Sequence, residues 1–222
     1  MKLVKILITA LLIISALAGL VSCGKKDDAI HLGTEKDGEY TFELYGNEQN
    51  IIRRVNVIKG GKKVSSLICN GTSLKTEDLN FDGHKDIMIS SASRGEGYYE
   101  CFIYQPNTNS FTRNKKFDNM LDPVLLPESN KITCKIQEKE LLEKDPVENY
   151  KITRGDAVFY WKNGSLLQLS ESGIEYFTAD EIYCVYTSSE IDGEFKRNDP
   201  ADLWFWSYEE LTEAGYTWDH TR

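Results

Sequence analysis

Asp156-Ala157-Val158-Phe159-Tyr160-Trp161 leads through Lys162 into Asn163-Gly164 and out again along Ser165-Leu166-Leu167-Gln168-Leu169. Two apolar and aromatic runs around an Asn-Gly pair are the strongest short-range signal for a β-hairpin. Both turn residues must take positive φ, and Asn and Gly do so at least cost. The same grammar repeats outward. Lys131–Gln137 alternates through Ile132, Cys134 and Ile136, with one face apolar. Val55 and Val57 run into Gly60-Gly61, and Val64–Cys69 is the return strand. Tyr40, Phe42 and Leu44 share a face one strand earlier. Ile87–Ser90 and Tyr98–Tyr104 are further short strands, and Pro106-Asn107-Thr108-Asn109 turns the chain before Phe111. Strands of this length, at a spacing of about 8–12 residues, predict a mostly β antiparallel meander: a sandwich, a barrel or a propeller. Only Glu138–Asp145 is ambiguous between strand and helix.

The last fifty residues change character. Tyr176-Phe177 and Ile182–Thr187 still fit strands. Asp199-Pro200 then offers an N-cap with proline at the first helical position, and Ser207-Tyr208-Glu209-Glu210 is a capping box. Gly215 suits a left-handed helix stop. One or two short helices are expected between Pro200 and Ala214. The cluster Trp204, Phe205, Trp206 and Tyr208, with Trp218, either packs this segment onto the body or forms a binding patch centred on Trp204, Trp206 and Tyr208. Packing is the commoner fate of aromatics at this spacing.

At the other end, Lys2 and Lys5 precede a nearly unbroken apolar run from Ile6 to Leu20. The run is short for a membrane span, which needs about 20 apolar residues, and fits an export signal. Leu20-Val21-Ser22-Cys23 resembles the bacterial lipobox. That resemblance implies cleavage before Cys23 and acylation of it, so that residues 1–22 are a signal and the protein is anchored to a membrane by lipid. Acyl chains contribute about 0.8 kcal/mol per buried methylene, enough for stable anchoring without a transmembrane helix. The expected destination is the outer side of the cytoplasmic membrane or the outer membrane. Residues 23–38 are polar and read as a flexible tether. A β body is expected over 39–170, and a C-terminal extension with short helices over 171–222.

The formal charge of the whole chain is −9. Removing a signal with two lysines and no acid would make the remainder more acidic still. Such a chain lacks the basic stripe of a nucleic-acid binder and suits cations or basic proteins as partners. Four further cysteines, Cys69, Cys101, Cys134 and Cys184, form two disulfides in one of three pairings or stay as buried thiols; the sequence leaves both open.

Asp78-Leu79-Asn80-Phe81-Asp82-Gly83-His84-Lys85-Asp86 carries the chemistry. Side-chain oxygens at positions 1, 3 and 5 of a tight loop converge, glycine at position 6 permits the turn, and position 7 offers a carbonyl. Asp78, Asn80, Asp82, the His84 carbonyl and Asp86 are therefore the candidate calcium ligands. Calcium is a hard ion that takes six to eight oxygens. An EF-hand would place glutamate at position 12, where Ile89 stands, so the loop belongs to a β setting and its affinity should be modest.

This loop, with the aromatic strand ending Phe102-Ile103-Tyr104, with Asn109-Ser110-Phe111 and with Asn130-Lys131-Ile132, resembles a family of bacterial exported, β-propeller-like proteins with one embedded calcium loop. Its best understood type inhibits a lysozyme. The resemblance spans roughly Glu39–Ser170; His84 stands where an aromatic is usual, and no inhibitory loop can be matched. It implies a propeller-like meander and a calcium-binding envelope protein whose partner is a basic cell-wall hydrolase or another envelope protein.

Catalysis is not expected. Of the three histidines, His31 lies in the tether, His84 in the loop and His220 near the end. Glu209 and Glu210 sit in a capping turn. The competing readings are an enzyme acting on envelope or dietary glycans, and a surface scaffold or adhesin.

Overall fold

The computed structural model describes residues 29–143, 149–191, 193–198 and 202–218. The signal, Cys23, Asp199-Pro200 and His220 lie outside the described residues. Among the described residues the chain is mostly β and antiparallel, as the hairpin grammar predicts, with a short α-helix near the C-terminal end. It is gathered into two sheets, and no closed barrel forms among the described residues.

The first sheet follows chain order: β1 (Ile30–Asp37), β2 (Tyr40–Gly46), β3 (Ile52–Lys59), β4 (Lys62–Glu77), β5 (Asp86–Ser91), β6 (Tyr99–Gln105) and β7 (Ser110–Arg113). The second contains β8 (Leu121–Leu126), β9 (Lys131–Glu143), β10 (Asn149–Lys162), β11 (Ser165–Phe177), β12 (Ile182–Ile191) and β13 (Glu194–Arg197), again as neighbours in chain order. A three-residue β14 (Leu203–Phe205) pairs with β12, and helix α1 (Tyr208–Glu213) follows it. The hairpin of β10 and β11 turns at Asn163 (φ 53°) and Gly164 (φ 74°), the two positive values an Asn-Gly turn provides.

Two cores explain why some strands alternate and others do not. Phe42, Val55, Val57, Ile87, Ile89 and Phe102 belong to a cluster on one face of the first sheet. That sheet curls over its own core: the Tyr40 ring of β2 meets Tyr104 of β6 at 6.3 Å and Phe111 of β7 at 5.7 Å. Met88, Cys101 and Ile103, from the opposite face of β5 and β6, join Ile132, Ala157 and Phe159 of the second sheet in another cluster. β5 and β6 are thus covered on both faces, which is why their sequences are continuous apolar runs. Trp161 of β10 donates its indole N–H to the Leu79 carbonyl over 2.7 Å, so a side chain of the second sheet grips the β4–β5 loop of the first.

Two expectations need correction. The tether assigned to residues 23–38 contains β1, paired along its length with β2 from Ile30↔Gly46 to Asp37↔Tyr40. Gly38 (φ 56°) makes the turn, and a strand at a sheet edge tolerates a polar sequence because it needs one neighbour and little burial. The boundary at residue 170 falls inside β11, where Ser170 pairs with Ser189, so the C-terminal part continues the second sheet. The segment expected to hold one or two short helices holds one, α1, with β14 before it. Half of its capping box is present: Ser207 Oγ accepts from the Glu210 amide at 3.2 Å, while Glu210 reaches one residue past the cap and accepts from the Trp206 amide at 2.8 Å. Glu138–Glu143, in the ambiguous stretch, continues β9.

Replacing Trp161 by Phe removes the donor to a buried carbonyl, and an unsatisfied buried group costs about 1–3 kcal/mol. We expect the urea midpoint to fall by that amount with an unchanged slope; a change of less than about 0.5 kcal/mol would show that the two sheets are coupled elsewhere.

Candidate metal centre

Glu77 and Asp86 are register partners at the ends of β4 and β5, so the loop Asp78–Lys85 closes a hairpin. Phe81 (φ 59°) and Gly83 (φ 85°) are both left-handed. Gly83 meets this demand without a Cβ penalty. Phe81 bears the cost while its ring packs against the core between the sheets.

The polar side chains organise the loop from within. Asp78 accepts from the Asp82 amide at 3.1 Å and from the Gly83 amide at 2.9 Å. Asn80 Oδ1 accepts from the Asp82 amide at 3.3 Å, and Asp82 accepts from the His84 amide at 2.8 Å. Asn80 Nδ2 donates to the other Asp82 oxygen at 2.8 Å. Asp78, Asn80 and Asp82 therefore gather on one small loop, with Asp82 exposed. His84 is exposed as well, and its ring lies 5.2 Å from that of Tyr104.

Asp86 is placed differently from the expected ring of ligands. It is fully buried, and its two oxygens accept separately from the Leu79 amide (2.8 Å) and the Tyr104 amide (2.7 Å). Burial pushes its carboxyl up to about 7; the two amides oppose that rise, while Asp82 and Asp78 add to it. Asp86 thus pins the loop to β6. Among the described residues, no group of three or more His, Cys, Asp and Glu side chains is arranged to hold a metal ion. Asp78, Asn80 and Asp82 bring hard side-chain oxygens to this loop, each with a lone pair beside its hydrogen bond, and these, with the His84 carbonyl next in the loop, are the atoms that would hold a calcium ion.

The four cysteines are free thiols, and all four are buried. Burial pushes Cys69 and Cys134 up to about 12 and Cys184 to about 11, and raises Cys101 as well. None is activated as a nucleophile. His31 bonds to Thr34 and stacks edge-on against Tyr45, remote in the chain from every cysteine.

The C-terminal aromatics divide into two groups. Trp218, Phe205 and Tyr216 pack with Tyr183 and Leu211 on the second sheet. Trp204, Trp206 and Tyr208 remain 52%, 71% and 41% exposed. Packing, the commoner expectation, therefore holds for the first group and not for these three. A polar anchor that the sequence did not signal fixes this region. Buried Glu175 on β11 accepts two N–H bonds of 3.0 Å from Arg197 on β13 and pairs with Lys151 at 3.5 Å. Arg197 also binds Asp202, just before β14, at 2.8 Å. Those partners are distant in sequence and carry no common motif.

No protein-family model matches the chain, and no curated protein matches it. Among solved structures, one described as "Structure of a Xanthomonas Type IV Secretion System related protein" is similar at 15% identity and a TM-score of 0.49, covering 78% of this chain and 94% of that one.

Asp86→Ala strips the acceptor from two buried amides, at about 1–3 kcal/mol each. We expect chemical denaturation to show a loss of roughly 2–6 kcal/mol, and Asp86→Asn, which keeps one acceptor oxygen, to lose less. A change of under about 1 kcal/mol in the alanine variant would mean that the pin is dispensable. Because their thiols are protonated near neutrality, Cys69, Cys101, Cys134 and Cys184 should escape alkylation at pH 8 in the folded chain and react fully in denaturant, as read by peptide mapping.

Proposed function

We propose that this chain is a lipid-anchored, calcium-binding protein of a bacterial cell envelope that works by binding another protein, with a basic cell-wall hydrolase as its target. The observation that carries the reading is the loop in which Asp78, Asn80 and Asp82 are gathered and fixed by their own backbone amides. Such a loop needs little rearrangement to present three side-chain oxygens to one cation. Calcium bound there supplies positive charge between Asp78 and Asp82; Asp86, already committed to the Leu79 and Tyr104 amides, holds the loop in place. With three side chains and one carbonyl, water completes the shell, and the affinity belongs with extracellular modules at about 10⁻⁴–10⁻³ M.

The envelope location rests on Leu20–Cys23 and the apolar run before it. Binding is favoured over catalysis because the described thiols are buried and protonated, and because His31, bonded to Thr34 on the exposed edge strand, and His84, on the exposed loop, are each remote in the chain from those thiols. An acidic chain is suited to a basic target by long-range attraction, which raises the rate of encounter.

Thermal unfolding in millimolar calcium and in chelator tests the metal reading. At that affinity, calcium should stabilise the fold by about 1 kcal/mol, a shift of roughly 2–4 °C for a chain of this size. Asp82→Ala should abolish the shift; an unchanged wild-type melting temperature would remove calcium from the proposal. Incubation with basic muramidases tests the target. Slower wall lysis is expected, whereas sugar release without added enzyme would point to a glycan-acting enzyme instead.

A further inference from the structure

Cys134 and Ala157 are register partners on β9 and β10, and both turn into the core between the sheets. Side chains alternate along a strand, so their neighbours Lys135 and Asp156 stand on the opposite face, away from the first sheet. On that face the Trp218 cluster covers Ile152, Ile174, Tyr176, Tyr183 and Val185. One row further along the strands the cover stops. Lys135, Asp156, Ser172 and Thr187 are partners in a straight line across β9, β10, β11 and β12. The first three are exposed, and Thr187 is half-buried. They line a groove of about 630 Å³, bounded by Arg154, Ile174 and Val185 of the covered row and by Tyr216 and Trp218. The aromatic wall is fixed: the Trp218 ring lies 5.8 Å from Tyr176 and 6.1 Å from Tyr183, with the Arg154 guanidinium 4.7 Å over it. Among the described residues, Lys135 and Asp156 face each other without forming an ion pair.

The lining selects the ligand. The volume falls among small-molecule sites, which run from about 300 to 1,000 Å³. β10 and β11 are interior strands, paired on both sides, so an extended peptide finds no backbone partners there. A row of charges and hydroxyls cannot be covered by a hydrocarbon chain without losing its hydrogen bonds to water. Lys135 and Arg154 set two cations against the one carboxylate of Asp156, in a chain of net charge −9, so the groove favours an anionic group. Asp156 is an acceptor alone and repels a ligand that is anion throughout; it asks for hydroxyl donors nearby. Ser172 and Thr187 both donate and accept. Tyr216 adds a flat apolar face. A sugar ring that carries a carboxylate meets all of these demands together.

We propose that this groove binds an acidic saccharide. Its carboxylate meets Lys135 and Arg154, its hydroxyls meet Asp156, Ser172 and Thr187, and one face of its ring lies on Tyr216. The site goes beyond the reading of the chain as a calcium-loaded binder of a protein, and it uses no residue of the Asp78–Asp86 loop.

Amide and indole shifts in the NMR spectrum of the full chain test it with three probes. N-acetylmuramic acid joins a sugar ring to a carboxylate, N-acetylglucosamine is that ring without the acid, and D-lactate is the acid arm without the ring. N-acetylmuramic acid should give saturable shifts at Lys135, Asp156, Ser172, Thr187 and the Trp218 indole, with a Kd of about 1 mM. The other two should bind about tenfold more weakly or less. Lys135→Ala and Asp156→Asn, both at exposed positions, should each weaken binding about fivefold or more and leave the melting temperature unchanged. Lys63→Ala, an exposed lysine of the first sheet, should change it by less than about twofold. Chelation of calcium should leave the shifts in place, so the groove and the metal loop fail separately. No saturable shift at ten times the expected Kd, shifts that map elsewhere, or wild-type affinity in both groove variants would overturn the proposal. Equal binding of D-lactate would show a simple anion site, and equal binding of N-acetylglucosamine would remove the cations from recognition; either overturns the acidic saccharide.

Discussion

The Asp86 carboxylate, fully buried at the first residue of β5, accepts the Leu79 amide through one oxygen and the Tyr104 amide through the other. The β4–β5 loop has no regular ladder of its own, so its amides need acceptors from side chains. A carboxylate can serve two of them where an amide or hydroxyl serves less well, and hydrogen bonds to a charged group are worth more than neutral ones. The Leu79 carbonyl is taken by the Trp161 indole, and its side chain is lost completely in the core between the sheets. One residue pair, Leu79 with Asp86, therefore ties the loop, β6 and the second sheet to a common point.

That point explains the shape of the molecule around it. Ile87–Ile89 of β5 and Cys101–Tyr104 of β6 are apolar on both faces because the curled first sheet fills one side and the second sheet presses on the other. β1, at the free edge, stays polar and exposed for the opposite reason. The loop Asp78–Lys85 emerges at the junction, with its inner residues anchored and its outer oxygens facing water. A cation there would stiffen a turn that the core has already fixed at both ends. Affinity would then reflect the donor set and little of the cost of ordering the chain.

The second sheet presents a different surface. The face that carries Tyr183 is capped by α1 and the Trp218 cluster, while Trp204, which packs on Phe177 of the other face, and Trp206 stay exposed. The Glu175–Arg197–Asp202 anchor allows large aromatic rings to stay in solvent without the segment collapsing onto the sheet. Each sheet is thus held at one point by a buried carboxylate, Asp86 in the first and Glu175 in the second.

The sequence by itself determined the strands and their turns, because alternation and positive φ are local demands: Asn163-Gly164, Gly60-Gly61 and the Ser207–Glu210 cap are where the residue types place them. It also determined the clustering of Asp78, Asn80 and Asp82, since their spacing of two in a tight loop brings them together whatever lies beyond. Only the tertiary structure decided that Asp86 turns inward, because the Tyr104 amide that captures one of its oxygens lies eighteen residues further on. In the same way it decided that β1 is a strand, that four cysteines remain thiols, and that Trp218 is buried while Trp206 is not. Each of those outcomes depends on which distant surface arrives to cover a side chain, and the order of residues along a chain does not record that.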